Sequence, residues 1–228
     1  MKRKILALTL VLALALGLCL TGCGGNAAPL AGPDEVAVAL FDLLMKNDAS
    51  GAQKALGYES EEAVRADFVG DDGEELYEVI AEELIGEFEQ MGVNVSAEDS
   101  QLLVDSMMAM MGKLELTAQV KEISEKDKKA VVTCTVTKLD INDAMESATE
   151  EALSDPSVAT DMDAMASAII HAMADVMKGA EASSETSDPF DVDFSLEIVE
   201  TNSKPQWIWV PTDANAFGAA ISQAAMNS

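Results

Sequence analysis

The apolar positions of this chain recur with two different periods, and the changes of period divide it. From Pro33 to Lys46, Val36, Leu40, Phe41, Leu43 and Leu44 fall on one side at helical spacing, with Pro33 near the start. Asn47-Asp48-Ala49-Ser50-Gly51 breaks that helix, and short helices are expected over Ser50–Leu56 and Glu61–Phe68. Gly70-Asp71-Asp72-Gly73 reads as a loop. Glu74–Met91 reads as a long amphipathic helix striped by Leu76, Val79, Ile80, Leu84, Phe88 and Met91. Its pairs Glu74/Glu78, Glu78/Glu82 and Glu83/Glu87 each repel by a few tenths of a kcal/mol, roughly, so packing of the stripe must hold it. Ser96, with Asp99 three residues on, resembles a capping box. It opens a helix to Met111, with Leu103, Met107, Met110 and Met111 inward.

The period then becomes two. Leu114, Leu116, Ala118 and Val120 alternate with polar residues up to Lys121, and Ala130–Leu139 is rich in β-branched residues. With the polar turn Ser124–Lys129 they form a hairpin, and Cys134 shares a buried face with Val132 and Val136. Asn142–Leu153 and Asp161–Lys178 read as helices broken at Asp155-Pro156-Ser157, the second striped by Met162, Met165, Ile169, Met173 and Val176. Gly179–Asp188 reads as a polar linker. A second hairpin follows, with Asp191–Glu200 pointing Val192, Phe194, Leu196 and Ile198 inward, a turn at Thr201–Pro205, and Gln206–Val210. Thr212–Met226 is the last helix, around Phe217 and Ile221. Helices segregated from antiparallel strands make an α+β fold. Its sheet has about four strands, with a helical insertion at about 142–178 between the hairpins. No βαβ alternation marks a parallel-sheet, two-lobed solute-binding protein.

The first 22 residues have a pattern of their own. Met1-Lys2-Arg3-Lys4 is basic, Ile5–Leu20 is apolar, and Leu20-Thr21-Gly22-Cys23 ends the run. The apolar stretch is shorter than the roughly 20 residues of a spanning helix. Cleaved before Cys23, which then carries diacylglycerol, the segment resembles a bacterial lipoprotein signal. The resemblance implies an extracytoplasmic protein held at the outer face of the cell membrane by lipid on Cys23, since two acyl chains hold firmly where one does not. Residues 23–32 then form the lipidated cysteine and a flexible tether, and 33–228 a single domain.

Removal of residues 1–22 takes three basic side chains and no acid. It leaves 11 basic against 41 acidic groups, a formal charge of −30. Such a surface repels nucleic acid and anionic lipid. Cys19 leaves with the signal and Cys23 is used by the lipid, so Cys134 has no intrachain disulfide partner. Aromatic residues are 4% of the chain, and 13 methionines stand in for larger apolar groups, which suits a pliable core.

Pro33-Asp34-Glu35-Val36 through Phe41, Leu44, Asp48, Ala52 and Leu56, the hairpin Glu122–Val132, and the ending Val192–Ile198, Trp207-Ile208-Trp209 and Phe217-Gly218 cover much of the domain. In these the chain resembles the nuclear transport factor 2-like, or cystatin-like, domains of Gram-positive lipoproteins. The resemblance implies a cone-shaped α+β fold, mostly in domains of unknown function.

Candidate chemistry is sparse. His171 is the single histidine, with Asp175 four residues on. No Gly-x-Ser-x-Gly nucleophile motif accompanies it, so it reads as a surface or satisfied histidine rather than a general base. Zinc would need more His or Cys, and the acidic pairs near Asp71 and Asp161 lack the spacing of a calcium loop. No metal site or cofactor is expected. The methionines offer soft ligands to Cu(I) but sit at core-filling spacing. Trp207 and Trp209 share one side of a strand, where they either cap the sheet or line the open end of a cone and grip a ligand. The leading expectation is a non-enzymatic binding or interaction domain for an unknown protein or small molecule. Two alternatives stay open: a small-molecule isomerase or lyase using the cone, and a metal-handling lipoprotein using methionine and acidic side chains.

Overall fold

A computed structural model describes residues 28–68, 85–86, 90, 92–139, 141–154, 161–201 and 204–226. The expected signal segment, Cys23, the expected loop at 70–73, nearly all of the expected Glu74–Met91 helix and the expected break at 155–157 lie outside the described residues. The architecture is α+β, with seven helices and a five-stranded sheet among the described residues. The chain divides into two compact units, one built on the sheet (residues to 73, 115–138 and 185–228) and one helical (74–114 and 139–184).

In the sheet unit, α1 (Pro33–Lys46) and α2 (Ser50–Leu56) lead into α3 (Glu61–Phe68). All three have the expected bounds. Gly32 N–H donates to Glu35 Oε2 at 2.8 Å and Val36 N–H to Gly32 O at 3.0 Å, which starts α1. Asn47, at φ 52°, ends it. Arg65 of α3 ties that end down, donating to Asn47 Oδ1 and Asn47 O, both at 3.0 Å. Val36, Leu40, Phe41 and Leu43 are fully or almost fully buried, as their spacing requires.

The strands are β1 (Leu116–Ser124), β2 (Lys129–Leu139), β3 (Ala182–Thr186), β4 (Phe190–Thr201) and β5 (Lys204–Pro211). Their order is β1-β2-β4-β5, antiparallel between neighbours, with β3 beside β2. Ala130, Val132, Cys134 and Val136 of β2 form the buried face with Val192 and Phe194 of β4. Helix α1 packs on β1 and on β5, the two edges of that order. The last helix, numbered α7 below, spans Ala214–Met226. It sets Phe217 edge-on to Phe194, with ring centroids 6.4 Å apart.

Two features of the sheet differ from the sequence reading. β1 runs past Lys121 to Ser124 because its register shifts between Val120 and Glu122. Lys121 is the extra residue of a β-bulge, and the bulge returns Ile123 to the face of Ala130, its partner. The polar segment read as a linker contains β3, whose side chains are mostly exposed. Beyond its end, Ser187 N–H donates to Val136 O at 2.7 Å, and Val136 N–H to Ser187 Oγ at 3.1 Å. Main-chain pairing orders this segment, so no apolar alternation announces it.

The helical unit holds α4 (Ala97–Met111), α5 (Asn142–Ser154) and α6 (Met162–Gly179). Helix α6 packs against both α4 and α5. Ser96 caps α4 by accepting from Asp99 N–H at 3.1 Å, and Asp161 caps α6 by accepting from Asp163 N–H at 3.0 Å. The buried stripe of α6 is Ala166, Ile170, Ala174 and Met177, one residue round from the expected one, and Met162 is 53% exposed. Ile170 and Met177 of that stripe are buried with Leu103 and Met107 of α4, and Met173 packs on them from the flank. Lys113 Nζ donates to Lys178 O at 2.6 Å and to Ala180 O, closing the C-terminal end of α6.

Candidate functional site

A concave surface of about 510 Å³ opens on the sheet unit between α1, α2 and β1. The helical rows Asp34/Val38/Asp42 and Glu35/Ala39 of α1 form one wall. Gly51, Lys54 and Ala55 of α2 form the other, with Ala118 of β1 between and Leu30 and Ala31 at one end. A Cβ on Gly51 would sit 3.4 Å from the Cβ of Ala39, an ordinary van der Waals contact, so α1 and α2 lie side by side there.

The lining is a strip of small apolar surface edged by charge. Asp42 pairs with Lys46 at 2.8 Å, and the Glu35 carboxylate is taken up by Gly32 N–H. Asp34 and Lys54 stand on facing walls. The lining contains no serine, threonine, cysteine or histidine. What it presents is shape, three carboxylates and one ammonium.

The two tryptophans lie elsewhere in the same unit. Trp209 pairs with Leu196 and is 3% exposed, while Trp207 pairs with Ile198 and is half-buried. The Lys128 ammonium sits 3.5 Å from the centre of the Trp207 ring, a close cation–π contact. Lys128 reaches that position from a turn residue at φ 53° whose carbonyl accepts from Leu196 N–H at 2.9 Å. Neither tryptophan belongs to the lining of the concave surface.

His171 lies in the helical unit, and its partner is Asp99 of α4 rather than Asp175. Nε2 of His171 is 3.0 Å from Asp99 Oδ1. Ser167 Oγ donates to the same oxygen at 3.2 Å, and Ser96 Oγ donates to Oδ2 at 2.8 Å. Both hydroxyls thus spend their protons on the carboxylate, and neither is aligned on the imidazole as a nucleophile on its base. The cluster joins α4 to α6. The capping box at Ser96 closes through its hydroxyl, not through its backbone N–H. Among the described residues, no three His, Cys, Asp or Glu side chains come together as a metal site.

Cys134 lies in β2, fully buried, and desolvation pushes its thiol up to about 12, with the Asp191 charge adding to the shift. Tyr58 is likewise pushed well above its ordinary range, by burial first and then by Asp67. No described helix is long and apolar enough to cross a membrane.

No family model matches the chain, and no curated protein matches its sequence. Among solved structures it is similar to YcdA of Bacillus subtilis subsp. subtilis strain 168, a protein assigned as a lipoprotein. The TM-score is 0.55 and the identity 15%, over 84% of this chain and 56% of that one. The chain therefore spans little more than half of that structure's length. The likeness is one of fold.

Proposed function

We propose that this chain is an extracytoplasmic lipoprotein, anchored to the outer face of the cell membrane by diacylglycerol on Cys23, whose domain binds a partner or ligand without transforming it. The segment Leu20-Thr21-Gly22-Cys23, behind a basic start and a short apolar run, carries the anchoring. The fold likeness to a protein assigned as a lipoprotein supports it. Packing of α1 against both edge strands of the sheet order supports a cone-shaped, nuclear transport factor 2-like arrangement. The binding role rests on the concave surface between α1, α2 and β1, whose lining combines charged side chains with small apolar surface.

Membrane fractionation of cells carrying the wild-type chain or Cys23→Ser tests the anchor. Wild type is expected in the membrane fraction and labelled by a palmitate analogue, with the variant released and unlabelled. Equal retention of both removes the anchoring reading. Native mass spectrometry of the lipid-free domain, compared with its denatured mass, tests the ligand. Excess native mass that disappears in Ala118→Arg assigns a ligand to the concave surface. Excess mass that persists in that variant moves the site elsewhere.

A further inference from the structure

The methionines are distributed unevenly. Met107, Met108, Met110, Met111, Met145, Met162, Met165, Met173 and Met177 all belong to the helical unit, and Met45 is the methionine whose side chain is described in the sheet unit. Five of them converge. Met107 and Met177 are buried with Leu103 and Ile170, and Met110, Met145 and Met173 pack against that cluster while remaining partly exposed. These three come from α4, α5 and α6 respectively, so each helix contributes one reachable sulfur to one core.

We propose that Met110, Met145 and Met173 form an oxidation-sensitive seam, at which a hydroperoxide converts thioethers to sulfoxides and loosens the packing of α4, α5 and α6. The sulfur lone pair attacks one peroxide oxygen, an S–O bond forms, and the O–O bond breaks. The leaving oxygen takes the proton from the transferred hydroxyl and departs as water from hydrogen peroxide, or as an alcohol from an organic hydroperoxide. Sulfur is oxidised by two electrons and the peroxide is reduced by two. A small oxidant reaches these sulfurs because they are half-buried; Met107 and Met177 are shielded at 6% exposure each.

The consequence follows from the seam's chemistry. A thioether is apolar, flexible and a weak acceptor, so it fills space among Leu103, Ile170 and its fellow methionines. A sulfoxide is polar and demands a hydrogen-bond donor. The surrounding cluster is Val95, Leu103, Ile170 and methionine, none of which has a side-chain donor. An oxygen turned into this cluster is left unsatisfied, and one turned outward to water takes its side chain out of the packing. The sheet unit has its own core, mostly Val, Leu, Ile, Phe and Ala with Cys134 and Trp209, in which Met45 is 9% exposed.

Hydrogen exchange with peptide-level mass spectrometry, before and after treating the whole chain with hydrogen peroxide, tests this. The expected result is a 16 Da gain on the peptides holding Met110, Met145 and Met173. Amide exchange in α4 and α6 should then quicken about ten- to a hundred-fold, with β2 and β4 unchanged. Treatment with the two methionine sulfoxide reductases should restore protection. The triple variant Met110→Leu/Met145→Leu/Met173→Leu keeps the volume of the core and should be indifferent to peroxide. Oxidation confined to exposed Met162, oxidation of the three without a change in exchange, or equal loosening of the triple variant would overturn the proposal.

Discussion

Asp99 Oδ1 lies 3.0 Å from Nε2 of His171, across 72 residues of sequence, and joins α4 to α6. The carboxylate is 7% exposed and takes hydrogen bonds from Ser96, Ser167 and the imidazole. A buried carboxylate is tolerated because those donors replace the water it has lost.

Replacing Asp99 by alanine leaves its donors without an acceptor and removes the N-terminal reinforcement of α4. The expected loss is about 1–3 kcal/mol, read by urea unfolding and by amide exchange in α4 and α6. His171→Ala, which removes an exposed ring, should lose less than about 1 kcal/mol. Equal losses would show that the histidine, not the carboxylate, organises the cluster.

Cys134 should be inert in the native state. Its thiol is buried and held up to about 12, and the thiolate is the reactive form. Iodoacetamide at pH 8 should label it only after denaturation; prompt native labelling would contradict the burial. The folded chain keeps this proton above the ordinary value of 9.0, where the unfolded chain gives it up. Stability should therefore fall as pH rises from about 9 towards 12, more steeply than in Cys134→Ala, and be unaffected by this group below that window.

Asp191 should titrate below the ordinary 3.8. Lys121 Nζ lies 2.5 Å from its Oδ2 and Thr133 Oγ1 donates to its Oδ1 at 2.7 Å; the lysine hydrogen bond is the larger cause of the depression. A depressed carboxyl stabilises the fold above its unfolded value and loses that contribution as pH falls through the folded one. Carboxyl carbon NMR from pH 6 to 2 measures this directly, and salt should shrink the shift because the pair is exposed. In Asp191→Asn the Lys121 ammonium, now held above its ordinary value by Asp191, should titrate lower. An Asp191 midpoint at 3.8 or higher would remove the pair.

Lys113→Met should fray α6. The ammonium donates to Lys178 O and Ala180 O, carbonyls at the C-terminal end where the helix dipole favours a cation. The expected cost is about 1 kcal/mol, confined to exchange of amides in the last turn of α6. An unchanged last turn would show that packing alone closes the helix.

The sequence by itself determined the elements that carry their own periodicity. The buried stripe of α1, the alternation of Val132, Cys134 and Val136 in β2, and Phe217 with Ile221 in α7 are legible because large apolar side chains recur there at the period of their element and are buried. The proposed anchor at Cys23 rests on a linear pattern alone, a basic start, an apolar run and Leu20-Thr21-Gly22-Cys23, on which no fold bears. Tertiary structure decided the rest. The buried stripe of α6 includes Ala166 and Ala174, which the spacing of the larger side chains does not pick out; the helix turns that face inward because it packs on both α4 and α5. β3 is held by main-chain pairing and by Ser187 on Val136, which leaves no apolar pattern to read. The bulge at Lys121 is visible only in the register of β1 on β2. His171 has a carboxylate four residues away on its own helix, yet its partner is Asp99, because the packing of α4 on α6 brings the more distant one within hydrogen-bond reach.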